Sequence, residues 1–171
     1  MATAAAEQGS ERQQYEFGPY PINANEVFAR TQLSFAFVNL KPIVPGHVLI
    51  SPIRVVRRFA DLTPAEVADL WGLAQLVGKT LEPHFGAQSL TLAIQDGPAA
   101  GQTVPHVHVH VLPRKPGDFD NNDEVYDEID KSEAHLSKLS EKLDLDKERV
   151  VRTREEMAAE AAELRKLFAD S

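Results

Sequence analysis

From His106 to Val111 the chain alternates histidine with valine, and Leu112 closes the run. An extended strand sends successive side chains to opposite faces. The alternation therefore predicts a strand over residues 104–112, with three imidazoles on one side and three valines on the other. At a rise of ~3.3 Å per residue, the imidazoles stand about 6.5–7 Å apart along it. One face is made for burial; the other is a row of groups that titrate near neutral pH. A single half-buried histidine is ordinarily a core residue with a hydrogen-bond partner. Three in strict alternation, in a chain with six, point to chemistry.

Around this run the chain reads as short strands and two separated helices. Residues 33–39 and 47–51 are strand-like and joined by a turn at 42–46, which makes an antiparallel pair. Thr63, Pro64 and Glu66 open a helix with a capping box. Val67, Leu70, Trp71, Ala74, Val77 and Leu81 recur at helical spacing, so this stripe is expected to face a core as far as about His84. Residues 90–95 alternate as a strand, and 96–103 form a loop of small residues. Thr153 and Glu156 cap a last helix carrying Met157, Ala161, Leu164 and Phe168 on one face. The order predicts an α+β fold, an antiparallel sheet of about five strands with two main helices. A length of 171 residues fits one domain, taken as 15–171 after a disordered tail at 1–14 that lacks a secretory apolar run.

The formal net charge of −8 is unevenly placed. Residues 118–149 carry twelve acidic and five basic side chains, a local −7, and read as a charged, mobile connection. Arg54, Arg57 and Arg58 cluster, but as a solvated patch. His84 and His135 read as surface residues, and Trp71 as core. No motif supports a nucleic-acid partner, and no apolar run reaches the roughly 18–20 residues needed to cross a bilayer. The chain has no cysteine. That excludes disulfides, thiol catalysis and thiolate metal sites, and it fits a reducing compartment, the cytoplasm with the nucleus as a second location.

Two kinds of chemistry suit the histidine row. His-x-His on a strand can hold zinc if a third ligand such as Asp96 or His47 comes from elsewhere. Alternatively, one imidazole can attack phosphorus and form a covalent intermediate. The loop from Asp96 to Thr103 precedes the row and offers backbone N–H groups with Gln102 and Thr103 as phosphate donors, which favours the second reading.

His106 to Leu112 matches the His-φ-His-φ-His-φ-φ signature of the histidine triad superfamily, φ being apolar. Leu33-Ser34-Phe35-Ala36, Lys41-Pro42, Val44-Pro45-Gly46-His47-Val48-Leu49, Gln95-Asp96-Gly97-Pro98 and Ala100-Gly101-Gln102-Thr103-Val104 resemble its fragile histidine triad branch. Residues 155–162 are similar to that branch's C-terminal helix. The resemblance implies a histidine-triad fold whose sheets join across a homodimer. It also implies hydrolysis of dinucleoside polyphosphates, diadenosine triphosphate to AMP and ADP. His108 matches the nucleophile, His106 and His110 its flanking partners, and His47 a further active-site histidine. Asn39 and Gln95 match residues at the nucleoside end, while Gly101, Gln102, Thr103 and Val104, with His110, match the phosphate surroundings. Tyr20 stands where the family often has a histidine and is carried as a substrate contact. Tyr126 matches a tyrosine phosphorylated in relatives. A divalent cation, magnesium or manganese, is implied to arrive with the nucleotide, with no metal held by the protein.

Hydrolysis of adenylylsulfate or a nucleoside phosphoramidate is an alternative within the enzymes. A nucleotide-binding signalling module with slow turnover is the alternative of another class. The long N-terminal tail and residues 131–152 have no counterpart in the family pattern.

Overall fold

The computed structural model describes residues 14–138 and 152–169. Seven strands and three α-helices follow in the order β1 (Tyr15–Phe17), β2 (Tyr20–Ile22), β3 (Val27–Arg30), β4 (Ser34–Val38), β5 (Val48–Pro52), α1 (Pro64–His84), β6 (Ser89–Ala93), β7 (Val109–Arg114), α2 (Glu124–Lys138) and α3 (Arg154–Lys166). Strands β3 to β7 make one antiparallel sheet in the order β3-β4-β5-β7-β6, and β1 and β2 form a separate hairpin. The α+β reading and the five-stranded sheet hold.

The sheet has two unlike faces. Val48 and Ile50 of β5 and Val107, Val109 and Val111 of the histidine run bury one face against Leu70, Ala74 and Leu81 of α1 and Ala161 and Leu164 of α3. On the other face, Leu49 joins Tyr15, Phe17, Phe35, Phe37 and Val104, so the β1–β2 hairpin roofs part of the sheet with aromatic rings. Both expected capping boxes form, at Thr63 with Glu66 and at Thr153 with Glu156. Each ties two helix N-terminal donors to side-chain oxygens.

Three expectations change. The histidine strand begins at Val109, not at residue 104. After Pro105 the His106 N–H turns back to the Val104 carbonyl (2.8 Å), and the Val107 N–H bonds the Val56 carbonyl (2.7 Å), outside the ladder. The alternation of faces survives this change of partners. Trp71 is 37% exposed, not core: it sits at the margin of the α1 stripe and, with Gly72, Gln75, Leu76 and Leu92, lines an open concavity of about 940 Å³ on the α1–β6 side. A third helix, α2, lies within the segment read as a charged mobile connection. There Val125 and Ile129 are buried with Val44 and Leu112. Arg54 and Arg58 are exposed, as expected of a solvated patch, and are also paired. Each forks onto a carboxylate, Arg54 on Glu66 (both contacts 2.7 Å) and Arg58 on Asp96 (3.1 and 3.2 Å). The Arg54 fork holds the buried Glu66 carboxyl down at about 2.

His84 is exposed, as expected. The His135 side chain, residues 1–13 of the tail and residues 139–149 of the charged stretch lie outside the described residues.

Candidate active site

The three imidazoles occupy the sheet face opposite the valine core, and all are buried (0–1% exposed). Their hydrogen-bond partners assign their protons. His106 accepts the Gly18 N–H at Nδ1 (3.1 Å) and points Nε2 at the carbonyls of Pro52 (2.9 Å) and Arg54 (3.2 Å). A carbonyl only accepts, so His106 is neutral with its proton on Nε2. Burial pushes its pKa down to about 4, which agrees. The Gly18 contact needs a tight turn between β1 and β2: φ is +57°, and a Cβ there would lie 2.9 Å from Val104.

His108 faces the His106 carbonyl through Nδ1 at 2.7 Å, so Nδ1 carries a proton and Nε2 is the atom presented to the site. His110 is set by a relay. The Ile43 N–H donates to His47 Nδ1 (3.2 Å), which puts the His47 proton on Nε2, and that nitrogen is 2.9 Å from His110 Nδ1. His110 is thereby left with an N–H at Nε2, aimed at the same space as His108 Nε2. Burial, the largest influence on both, holds His47 and His110 below the ordinary histidine pKa. The arrangement supplies a nucleophilic nitrogen beside a fixed donor, as attack on phosphorus requires.

The loop residues divide. Thr103 points its hydroxyl into the histidine site. Val104 is buried in the aromatic cluster, and Tyr20 packs half-buried against it. Gln102 does not aim at the histidines: its amide closes its own loop, accepting from the Gly97 N–H and donating to the Arg57 carbonyl (both 3.0 Å). Asn39 is 2% exposed, with Nδ2 3.2 Å from His47 Nε2 and Oδ1 taking the Lys41 N–H, so it lies behind His110. Gln95 reaches Asp130 of α2. Gly101 has φ +90°, and a Cβ there would stand 2.6 Å from the Gln95 amide nitrogen. Tyr126 is on the exposed side of α2.

One residue at the centre escaped the sequence reading. Glu133 of α2 is 1% exposed and sets Oε1 3.1 Å from His108 Nε2 and 3.4 Å from His110 Nε2. Its Oε2 and its backbone carbonyl both receive the Thr103 hydroxyl, at 2.9 and 2.8 Å. Burial opposes its ionisation but is outweighed by His108, so the carboxyl stays well below its ordinary pKa. Burial likewise lowers the His108 pKa, and the Glu133 charge more than restores it. The available signal was Val125 and Ile129, four residues apart in an acidic stretch, with Ser132 and Glu133 one turn further on the same face. Among the described residues, His108, His110 and Glu133 also form a set whose donor atoms could converge on a metal. The carboxylate weighed for that role, Asp96, is engaged by Arg58 and the Phe59 N–H instead.

Comparison with known proteins places this geometry. Residues 22–117 match the family model described as HIT domain. The Arabidopsis thaliana protein named bifunctional bis(5'-adenosyl)-triphosphatase/adenylylsulfatase FHIT is 60% identical over 154 residues, which cover 90% of this chain and 84% of that one. The bis(5'-adenosyl)-triphosphatase of Dictyostelium discoideum is 49% identical over 155 residues, covering 91% and 93%. The crystal structure of Plasmodium falciparum diadenosine triphosphate hydrolase in complex with cyclomarin A superposes with a TM-score of 0.72 at 31% identity, covering 96% of this chain and 89% of that one. Matches of that extent leave one conclusion, that the chain belongs to the HIT domain family and to its fragile histidine triad branch.

Proposed function

We propose that the protein hydrolyses dinucleoside polyphosphates, splitting diadenosine triphosphate into AMP and ADP, with His108 as the nucleophile. The observation that carries this is the contact of His108 Nδ1 with the His106 carbonyl, which holds a proton there and makes Nε2 the nitrogen that faces the site and attacks when it is unprotonated. The names of the relatives supply the substrate class. In the first step Nε2 bonds to the α-phosphorus, the bond from that phosphorus to the bridging oxygen breaks, and ADP departs. The His110 N–H and the Thr103 hydroxyl stabilise the charge gathering on phosphate oxygens. In the second step water attacks the same phosphorus, the P–N bond breaks, and AMP leaves with His108 restored. A neutral imidazole suits an anionic polyphosphate, which a carboxylate nucleophile would repel.

His106 and His47 act as positioning residues. Asn39, Gln95, Gly101, Gln102, Val104 and Tyr20 remain the candidate contacts of the nucleotide, Asn39 through His47 and Gln102 through the shape of its loop. Magnesium or manganese enters as part of the nucleotide. Hydrolysis of adenylylsulfate is a second reading, favoured by the bifunctional name of the Arabidopsis relative. The retained AMP half is the same and only the leaving group differs. The protein is further proposed to be a homodimer, supported by the edge strand β6 and by exposed Trp71, Leu76 and Leu92 beside it. We place it in the cytoplasm, with the nucleus as a second location. Among the described residues no helix is long and apolar enough to cross a membrane.

The test is rapid-quench kinetics with diadenosine triphosphate labelled in the adenosine. A burst of labelled protein, lost on substituting His108, is expected; turnover with no labelled intermediate would remove the covalent route. Steady-state rates on diadenosine triphosphate, adenylylsulfate and an adenosine phosphoramidate then rank the leaving groups.

A further inference from the structure

Among the described side chains of helix α2, two apolar ones, Val125 and Ile129, are buried where it docks beside the histidines. Among its residues with described side chains only Val125, Ile129, Ser132 and Glu133 are buried, while Glu124, Tyr126, Asp127, Asp130 and Lys131 are exposed. Three polar contacts tie it to the site and its rim. Ser132 donates to the Lys41 carbonyl (2.9 Å), Gln95 donates to Asp130, and Thr103 donates to Glu133. A buried carboxylate is unfavourable unless its oxygens are paired. Here each pairing group, His108, His110 and Thr103, is one that the proposed reaction needs for phosphate. A carboxylate oxygen and a phosphate oxygen are both anionic acceptors, so they compete for the same donors.

The contact also alters the nucleophile. His108 Nδ1 already gives its proton to the His106 carbonyl. A carboxylate can only accept, so the 3.1 Å contact to Glu133 requires a second proton on Nε2. His108 is then an imidazolium with no lone pair. With α2 docked, the site can neither admit a phosphate nor attack one.

We propose that α2 is a built-in inhibitor of the site, with Glu133 standing where a substrate phosphate oxygen must sit, and that the nucleotide's phosphate displaces it. The proposal rests on His108 as the nucleophile. It also says why an acidic segment lies beside a site for an anion: its charge is held by the same cationic and donor groups until a phosphate replaces it. Displacement need not unfold the core, since Val125 and Ile129 belong to a small cluster separate from the one beneath α1.

The test uses the full-length protein and two variants, Glu133→Ala, which removes the carboxylate, and Ile129→Ser, which loosens α2 without touching the histidines. If the docked state dominates, kcat/KM for diadenosine triphosphate should rise about five- to tenfold in both, chiefly through a lower KM, because apparent affinity scales with the open fraction. Amide exchange across residues 124–138 of the unmodified protein should accelerate when AMP saturates the site. A kcat at least tenfold lower in Glu133→Ala, with Ile129→Ser unchanged, would make Glu133 part of the chemistry and overturn the proposal. Unchanged kcat/KM in both variants, with α2 exchange indifferent to AMP, would overturn it equally. The exchange experiment needs no turnover. If His108→Asn still hydrolyses substrate while AMP frees α2, the inhibitory contact stands and the assignment of the nucleophile falls.

Discussion

His108 Nδ1 lies 2.7 Å from the backbone carbonyl of His106, two residues before it in the chain. Because that carbonyl can only accept, the contact fixes which nitrogen of His108 faces the site. His108→Asn keeps a small polar side chain but has no nitrogen able to form a stable adenylate. Its kcat should fall by several powers of ten, about the scale seen when a catalytic nucleophile is removed, while AMP still binds. Calorimetry for AMP and a discontinuous assay for ADP would check both halves; activity within tenfold of the unmodified protein would assign the attack elsewhere.

Docking of α2 should depend on pH in a defined direction. Glu133 lies below its usual value of 4.5, so its contribution is present above 4.5 and is lost as pH falls through the lowered value. His108 lies above 6.5, so its contribution is complete below 6.5 and is lost as pH rises through the raised value. The imidazoles around it, His106, His110 and His47, are held below the ordinary histidine pKa by burial and do not reverse this. KM should therefore fall as pH rises through the neutral range. In Glu133→Gln the acidic limb of kcat/KM should move to lower pH, since burial alone pulls His108 down. An unmoved limb would mean that Glu133 does not govern His108.

Much of this was legible because it is written in local sequence. The histidine–valine alternation fixes which side chains share a face, and it does so even though the ladder begins only at Val109. Thr63 with Glu66 and Thr153 with Glu156 announce helix starts because capping is chemistry within one turn. Trp71 was misread because helical spacing identifies a stripe without marking its edge, and Trp71 lies on that edge beside fully buried Leu70. Glu133 was hidden for another reason. Its partner His108 is 25 residues away, and net charge described the segment as solvated while only Val125 and Ile129 indicated a buried side.

The α1–β6 face gives a test of assembly. Leu92 is 42% exposed on edge strand β6, and Trp71 and Leu76 stand beside it on α1. An unpaired edge next to exposed apolar side chains favours pairing with a second copy. Light scattering should give the mass of a dimer, and Leu92→Lys with Trp71→Glu should halve it. A monomeric mass for the unmodified protein at micromolar concentration would refute the dimer.

Metal dependence separates the two uses of the histidine row. His108 Nδ1 and His110 Nδ1 are occupied by a carbonyl and by His47, and both Nε2 atoms are needed for phosphate. Exhaustive zinc chelation followed by return of magnesium with the substrate should leave kcat unchanged. Stoichiometric zinc by elemental analysis, with activity following its removal, would instead place a metal between His108, His110 and Glu133.

His47 never faces the proposed phosphate directly, yet it sets what His110 can do. Its Nε2–H donates to His110 Nδ1, which keeps the His110 proton on the nitrogen that faces the site. His47→Gln preserves much of the volume of a buried side chain but weakens that instruction, so His110 samples the tautomer with a lone pair aimed at phosphate. Loss of one donor to a charged transition state commonly lowers kcat by about 10²–10³, and a partial loss should cost roughly ten- to a hundredfold. KM should change little, because ground-state binding draws on several other groups. The pH profile should also change, since a freed His110 Nδ1 can take a proton as the medium is acidified. A folded His47→Gln with unchanged kcat and an unchanged pH profile would reduce His47 to packing.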